Sequence, residues 1–224
     1  MTENLFSESG FWWPERARGQ ADRYLRHQRD TDPAIRLCSQ RRTALQAGGH
    51  IGLFPLWLAR KFERVLTFEP CNDNWECLLR NVAGNAKITP CKALLGESQG
   101  VGRLLLNGKN SGGHKCLFNG EREALPKPHF RLCESMPVFA IDDLGRSDVD
   151  LIQLDVEGAE LPALKGAVKT IKASRPVIQL EIRGHGEIHG YTDAELCAWL
   201  AGIGYVEAHK VARDRVFLPR RDWR

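Results

Sequence analysis

The 224-residue chain is short of several features, and each shortage removes a class of protein. No apolar run approaches the roughly 20 residues that span a bilayer, so a membrane helix is not expected. The seven cysteines are scattered and have no CxxC spacing. That excludes a disulfide framework and a zinc knuckle, and is what reduced thiols in a cytoplasm look like. The opening "MTENLFSESGFWWPER" has neither the basic nor the apolar stretch of a signal peptide, which adds to the expectation of a cytoplasmic protein. Low-complexity tracts and internal repeats are absent, so fibrous, disordered and solenoid readings fall away. Charge is nearly balanced, 32 Lys+Arg against 28 Asp+Glu for a net +4. The basic clusters "PERARGQADRYLRHQR" and "RVFLPRRDWR" read as solvated faces rather than as a nucleic-acid surface.

What is present is enough chain for one domain with a sizeable core. Residues 1–40 read as an N-terminal helical extension or lid: Phe11, Trp12 and Trp13 precede Pro14 at a helix start, and an amphipathic helix runs to about Arg29. From Arg42 short apolar runs alternate with helical stretches, the pattern of parallel strands joined by helices. "TALQA" is a first strand and "RVLTFE" a second, followed by a helix in which Trp75, Leu78, Leu79 and Val82 share a face, with Asn72 or Asp73 as its cap. "KITPCKALL" is a third strand. An irregular insertion covers about residues 96–137. "MPVFAIDDL" resumes the pattern, "DVDLIQLD" is a fourth strand, and a helix spans Gly158 to about Lys172. "RPVIQLEI" is a fifth strand. Thr192 and Glu195 form a capping box on the next helix. "YVEAHKVARDRVFLP" closes the sheet as an antiparallel pair.

Open α/β sheets bind ligands at the carboxyl ends of their strands, where glycines let backbone and ligand approach closely. Gly48, Gly49 and Gly52 follow the first strand and Glu69 ends the second, placed to accept the ribose hydroxyls of an adenosine cofactor. A dinucleotide would need GxGxxG and a phosphate cradle, which "GGHIG" does not supply. S-Adenosyl-L-methionine carries no phosphate and needs only the turn and the carboxylate.

These residues carry a family resemblance. "ALQAGGHIG", "FEP" with Asn74 after it, and "DVEGAE…LKGA" resemble the FkbM-type S-adenosylmethionine-dependent methyltransferases over about residues 43–219. The resemblance implies a Rossmann-like seven-stranded, mostly parallel sheet with an antiparallel C-terminal hairpin and helices on both faces, spanning residues 41–224. It implies S-adenosyl-L-methionine as cofactor, held by Gln46, Ala47, Gly48, Gly49, His50, Gly52, Glu69, Pro70, Asn74, Ala93 and Asp155. It also implies transfer to an oxygen of a sugar or small metabolite, and His114, in "NSGGHKC", near the acceptor. The chain departs from the pattern at two positions. Gln46 stands where the family has an acid that helps hold the cofactor's amino group, and Gly49 where it has Ala. A non-catalytic binder of S-adenosylmethionine or S-adenosylhomocysteine is therefore the main alternative, with a nucleotide-dependent oxidoreductase behind it.

"DVEGAE" places three acids after the fourth strand. Methyl transfer needs an acceptor held and deprotonated near the methyl carbon, and Asp155 and Glu157 are the candidates for that work. Glu160 falls in the first helical turn, where the helix dipole alone would favour it. A metal lacks a defined third or fourth ligand, and none is expected. Glu181, His185 and His189 have a ligand-like spacing, but glycines flank His185 and argue for a loop. The base-flipping turn of amino-group methylases, Asn/Asp/Ser-Pro-Pro-aromatic, is missing, so nucleic acid is an unlikely acceptor and a small molecule or glycan the expected one.

Overall fold

The structure, a computed structural model, describes residues 5–27, 29–118, 121, 128–211 and 213–220. It opens with a hairpin in which β1 (Leu5–Glu8) pairs antiparallel with β2 (Phe11–Pro14). The aromatics therefore lie on a strand and Pro14 ends it, in place of the expected helix start. Aromatic side chains suit a half-buried pleat, and Trp13 is fully buried against Ile51, Leu53 and Cys77. A 3-10 turn at Glu15–Ala17 and two short helices, α1 (Ala21–His27) and α2 (Asp32–Leu37), follow.

The α/β pattern then runs as β3 (Thr43–Ala47), α3 (Leu53–Ala59), β4 (Arg64–Phe68), α4 (Asn72–Val82) and β5 (Ile88–Cys91). The expected third strand stops there. Its tail becomes β6 (Leu94–Leu95), which joins a second sheet with β7 (Gly100–Asn107), β8 (Lys115–Leu117) and β9 (Phe130–Phe139), in the order β6-β9-β7-β8. Nearly half of the irregular insertion is thus antiparallel sheet, and its residues 119–120 and 122–127 lie outside the described ones. "MPVF" belongs to β9, not to the main sheet, and Ile141–Leu144 is a 3-10 turn.

The main sheet resumes with β10 (Val149–Leu154), α5 (Glu160–Lys165), α6 (Val168–Ser174), β11 (Val177–Glu181), α7 (Asp193–Gly202), β12 (Tyr205–Val211) and β13 (Asp214–Pro219). The single helix expected from Gly158 is two, broken at Gly166. There a Cβ would come within 2.1 Å of the Gly96 carbonyl, so close packing of the β6 end sets the break. The capping box on α7 forms as expected. The turn of the closing hairpin, at residue 212, and the last basic residues, 221–224, lie outside the described residues.

Seven strands order β12-β13-β11-β10-β3-β4-β5, parallel from β11 to β5 and antiparallel at the hairpin. Successive side chains alternate across the sheet. Leu45, Ile152, Ile178 and Phe217 pack on the side of α5, α6 and α7. Ala44, Leu151, Val177 and Val216 pack on the side of α2, α3 and α4. Helices therefore cover both faces. On α4 the buried face is Asp73, Asn74, Cys77, Leu78 and Val82, while Leu79 is 38% exposed, so the expected apolar face is rotated toward polar residues. Its N-cap is Cys71, with no side-chain cap, and Asp73 forms an ion pair with Arg16 instead.

Candidate active site

Strand pairing puts Phe68, Ala47, Leu154 and Leu180 side by side on β4, β3, β10 and β11. The next residue on each strand is Glu69, Gly48, Asp155 and Glu181, and Glu181 is paired in turn with Asp214 on β13. All five line one cavity of about 400 Å³, within the size of ligand pockets. Gly48 sits in the middle of this row for a steric reason. Its φ is +84°, and a Cβ would come within 2.0 Å of the Asp155 carbonyl oxygen.

At the β4 end, Glu69 accepts the backbone N–H of His50 at 2.7 Å and of Cys71 at 2.8 Å, with the Asn74 amide at 3.4 Å. Burial pushes its pKa up to about 7, and those three donors hold it back from rising further. His50, with a positive φ of 46°, bonds Ser111 Oγ through Nε2 at 2.9 Å, and the Tyr24 ring lies 4.5 Å from its own. Burial lowers its pKa to about 3, so the imidazole is neutral. Asn74 donates to the Ser111 carbonyl at 2.8 Å, and its Oδ1 is buried with no partner.

His114 is half-buried and also neutral, its pKa lowered to about 3 by burial and by Arg16 and His50. Its Nδ1 accepts the Asn107 N–H at 3.0 Å, so the proton sits on Nε2, which is buried and unpartnered. His114 thus has a donor to offer, not a vacant lone pair.

At the β10 end carboxylates crowd. Asp155 is half-buried and faces the cavity, and burial, then Glu181, Glu157, Asp214 and Glu160, raise its pKa. Glu157, at φ 54°, pairs with His185 Nδ1 at 2.6 Å and Arg183 at 3.5 Å. Glu160 is buried and ties the turn together. Its carboxylate accepts the N–H of Val156 at 3.1 Å and of Gly158 at 3.3 Å, and the Tyr191 hydroxyl at 3.2 Å. Its place is structural, inside the turn and the helix start. Glu157, Glu181 and His185 bring ligand atoms within 4.8 Å of one another, and Arg183 contacts all three. His189 lies apart from them, on Glu121 at 2.7 Å.

Of the residues expected to hold cofactor or acceptor, Ala47, Gly48, His50, Glu69, Pro70, Asn74, Ala93, His114, Asp155 and Glu157 line the cavity. Gly49 and Gly52 shape the turn beneath it. Gln46 does not line it: its amide donates to the Gly48 carbonyl at 2.9 Å and accepts from Thr67 at 2.5 Å. Sequence reasoning missed Tyr24, Ser111, Lys115 and Asp214, and placed Glu181 at the end of the fifth strand without giving it a part in the site. Glu181 was findable as an acid ending a strand; the others reach the cavity only through tertiary packing.

S-Adenosyl-L-methionine fits the residues present. Two buried polar atoms, Asn74 Oδ1 and His114 Nε2, lack partners beside the cavity, Glu69 stands at the β4 end, and the surplus of carboxylates favours a cationic ligand. Among the described residues no helix is long and apolar enough to cross a membrane.

Comparison with known proteins agrees. The methyltransferase FkbM domain matches residues 46–207. "Methyltransferase sdnD" of Sordaria araneosa is 32% identical over 152 residues, 54% of this chain and 59% of that protein. The crystal structure of methyltransferase FkbM from Methylobacillus flagellatus KT superposes with a TM-score of 0.53 at 21% identity, over 80% of this chain and 43% of that one. The chain therefore spans 59% of the length of the curated relative it matches. The glycine turn, the acids at the strand ends and a family match over more than half its length place the chain in the FkbM methyltransferase family, whose methyl donor is S-adenosyl-L-methionine.

Proposed function

We propose that this chain is a cytoplasmic enzyme that transfers the methyl group of S-adenosyl-L-methionine to a hydroxyl oxygen of a sugar or other small metabolite. The observation that carries the reading is one cavity with Glu69 and Asp155 in the same row, separated by the side-chain-free Gly48. The bound donor supplies an electrophilic methyl on a positively charged sulfur. Glu69, His50 and Asn74 form the binding end. Asp155 takes the proton of the acceptor hydroxyl, and the burial and neighbouring acids that raise its pKa make it a better proton acceptor than an ordinary aspartate. Glu157, held by His185 and Arg183, orients the acceptor, while Lys115 Nζ fixes the turn through the Glu157 carbonyl at 3.1 Å. His114 donates to the ligand through Nε2.

Residues 1–40 act as a lid in this reading. Tyr24 on α1 covers His50, and its hydroxyl donates to Asn110 at 2.5 Å. Gln179 ties the segment to the sheet through the Asp30 carbonyl at 3.2 Å. The free thiols of Cys38, Cys71, Cys77, Cys91, Cys116 and Cys197 support a reducing compartment.

Calorimetric titration with S-adenosylmethionine, S-adenosylhomocysteine and NAD tests the first half. Binding of either sulfur nucleotide but not NAD is expected, and binding of neither ends the reading. Labelled-methyl transfer into a panel of sugars and hydroxylated metabolites tests the second. Tight binding with no labelled product would favour the non-catalytic alternative.

A further inference from the structure

Glu181 has no role in the mechanism above, yet it is the nearest row neighbour of Asp155. Leu154 and Leu180 are directly paired, and these two acids follow them on adjacent strands, where backbones run about 4.8 Å apart. Their carboxyl groups are within hydrogen-bonding reach of each other, and both line the cavity. Two ionised carboxylates can only accept, so a hydrogen bond joins them only once one of the two has taken up a proton.

We propose that Glu181 is the positioning partner of Asp155: its carboxylate accepts a hydrogen bond from Asp155 as soon as Asp155 has taken the acceptor's proton. The inference rests on Asp155 being the base. In the step, the acceptor O–H bond breaks and an O–H bond forms on Asp155. The pair passes from no proton to one, and returns to none when that proton leaves to water.

The charges around the pair decide where the proton sits. Arg183 bonds Glu181 at 3.2 Å and so keeps Glu181 the ionised member. The same guanidinium and His185 occupy Glu157. Glu160 is held by backbone N–H groups and Tyr191, and Lys115 bonds the Glu157 carbonyl and feels the charges of Glu157 and Glu160. From β13, Asp214 is held by the Gln179 amide at 2.5 Å. The lid side brings Tyr24, Arg23 and the His27–Asp30 pair, and Arg213 also lines the cavity. Among the described residues no cation forms an ion pair with Asp155, so its proton is drawn to the ionised Glu181.

The test is a carboxyl-carbon NMR titration of the full chain, with and without S-adenosylhomocysteine. Glu181→Gln should move the Asp155 midpoint down by about one pH unit or more, because a like charge is removed. Arg183→Gln should move it up, because the cation that offsets the acids is lost. An Asp155 midpoint within about 0.3 unit of wild type in Glu181→Gln overturns the inference, since one unit is the scale on which carboxylates sharing a site interact. Should Glu181→Gln not fold, Arg183→Gln decides alone, and an unmoved or lowered midpoint there is equally fatal. Failure of Asp155→Asn to reduce methyl transfer, or failure to bind S-adenosylhomocysteine, would instead strike the proposed function.

Discussion

The two ends of the cavity use the same kind of side chain in opposite surroundings. Glu69 is a single carboxylate wrapped in donors, two backbone N–H groups and an amide. Asp155 stands among carboxylates and receives no such wrapping. Burial raises both. At Glu69 the donors restrain the rise, which leaves a fixed acceptor suited to binding; at Asp155 the neighbouring acids add to it, which leaves a group suited to taking a proton.

The sharpest break of that contrast is Asp155→Asn. Methyl transfer to the acceptor that the wild-type chain labels should fall by about 10²–10⁴-fold. Cofactor affinity measured by calorimetry should stay within a few-fold. Equal losses in both would erase the distinction between the two ends.

Gly48→Ala attacks the point where the ends meet. Its positive φ and the 2.0 Å approach of a Cβ to the Asp155 carbonyl predict a large loss of stability, about 3 kcal/mol or more. Thermal melting should drop by about 6–12 °C for a chain of this size. An unchanged melting temperature would mean the turn yields easily.

Glu69→Ala should weaken S-adenosylmethionine binding by about tenfold or more through loss of charge-assisted bonds. It should leave the titration of Asp155 untouched. Unaltered affinity would remove Glu69 from the binding end.

The smallest effect concerns Glu160, whose pKa burial pushes up to about 7 from a usual 4.5. The folded state therefore holds its proton better than the unfolded one does. The stability it contributes is fully present below about pH 4.5 and is lost as pH rises through about 7. Glu160→Gln stays neutral throughout, so melting curves from pH 4.5 to 8 should show the variant gaining on wild type as pH rises toward about 7. A pH-independent difference would place an ionised Glu160 in the folded protein.

Much of this contrast could be read from the chain. Apolar runs of five or six residues ending in Glu69, Asp155 and Glu181 marked strands with acids at their carboxyl ends, and "GGHIG" marked the close turn. The helix cap at Thr192 and Glu195 was equally legible, because both partners lie within four residues. Other readings failed where distant residues compete with local preference. Pro14 looked like a helix start until pairing with Leu5–Glu8 took Phe11–Pro14 into a hairpin and left the helical turns to begin after it. "KITPCKALL" looked continuous, but Leu94 and Leu95 bury themselves against β9 in another sheet. Gln46 stood in the place of a cofactor ligand, yet its amide is consumed by Thr67 and Gly48.

By itself the sequence determined the alternation of strands and helices, the antiparallel close, the glycine turn and the acids that finish the strands, because these depend on periodicity and on steric demands within a few residues. Only the tertiary structure decided which acids became neighbours. Asp214 reaches the row because β13 inserts beside β11, and Tyr24 reaches His50 because α1 folds over the turn. Register and packing are set by burial shared among segments far apart in the chain, and the interactions between carboxylates follow from that placement.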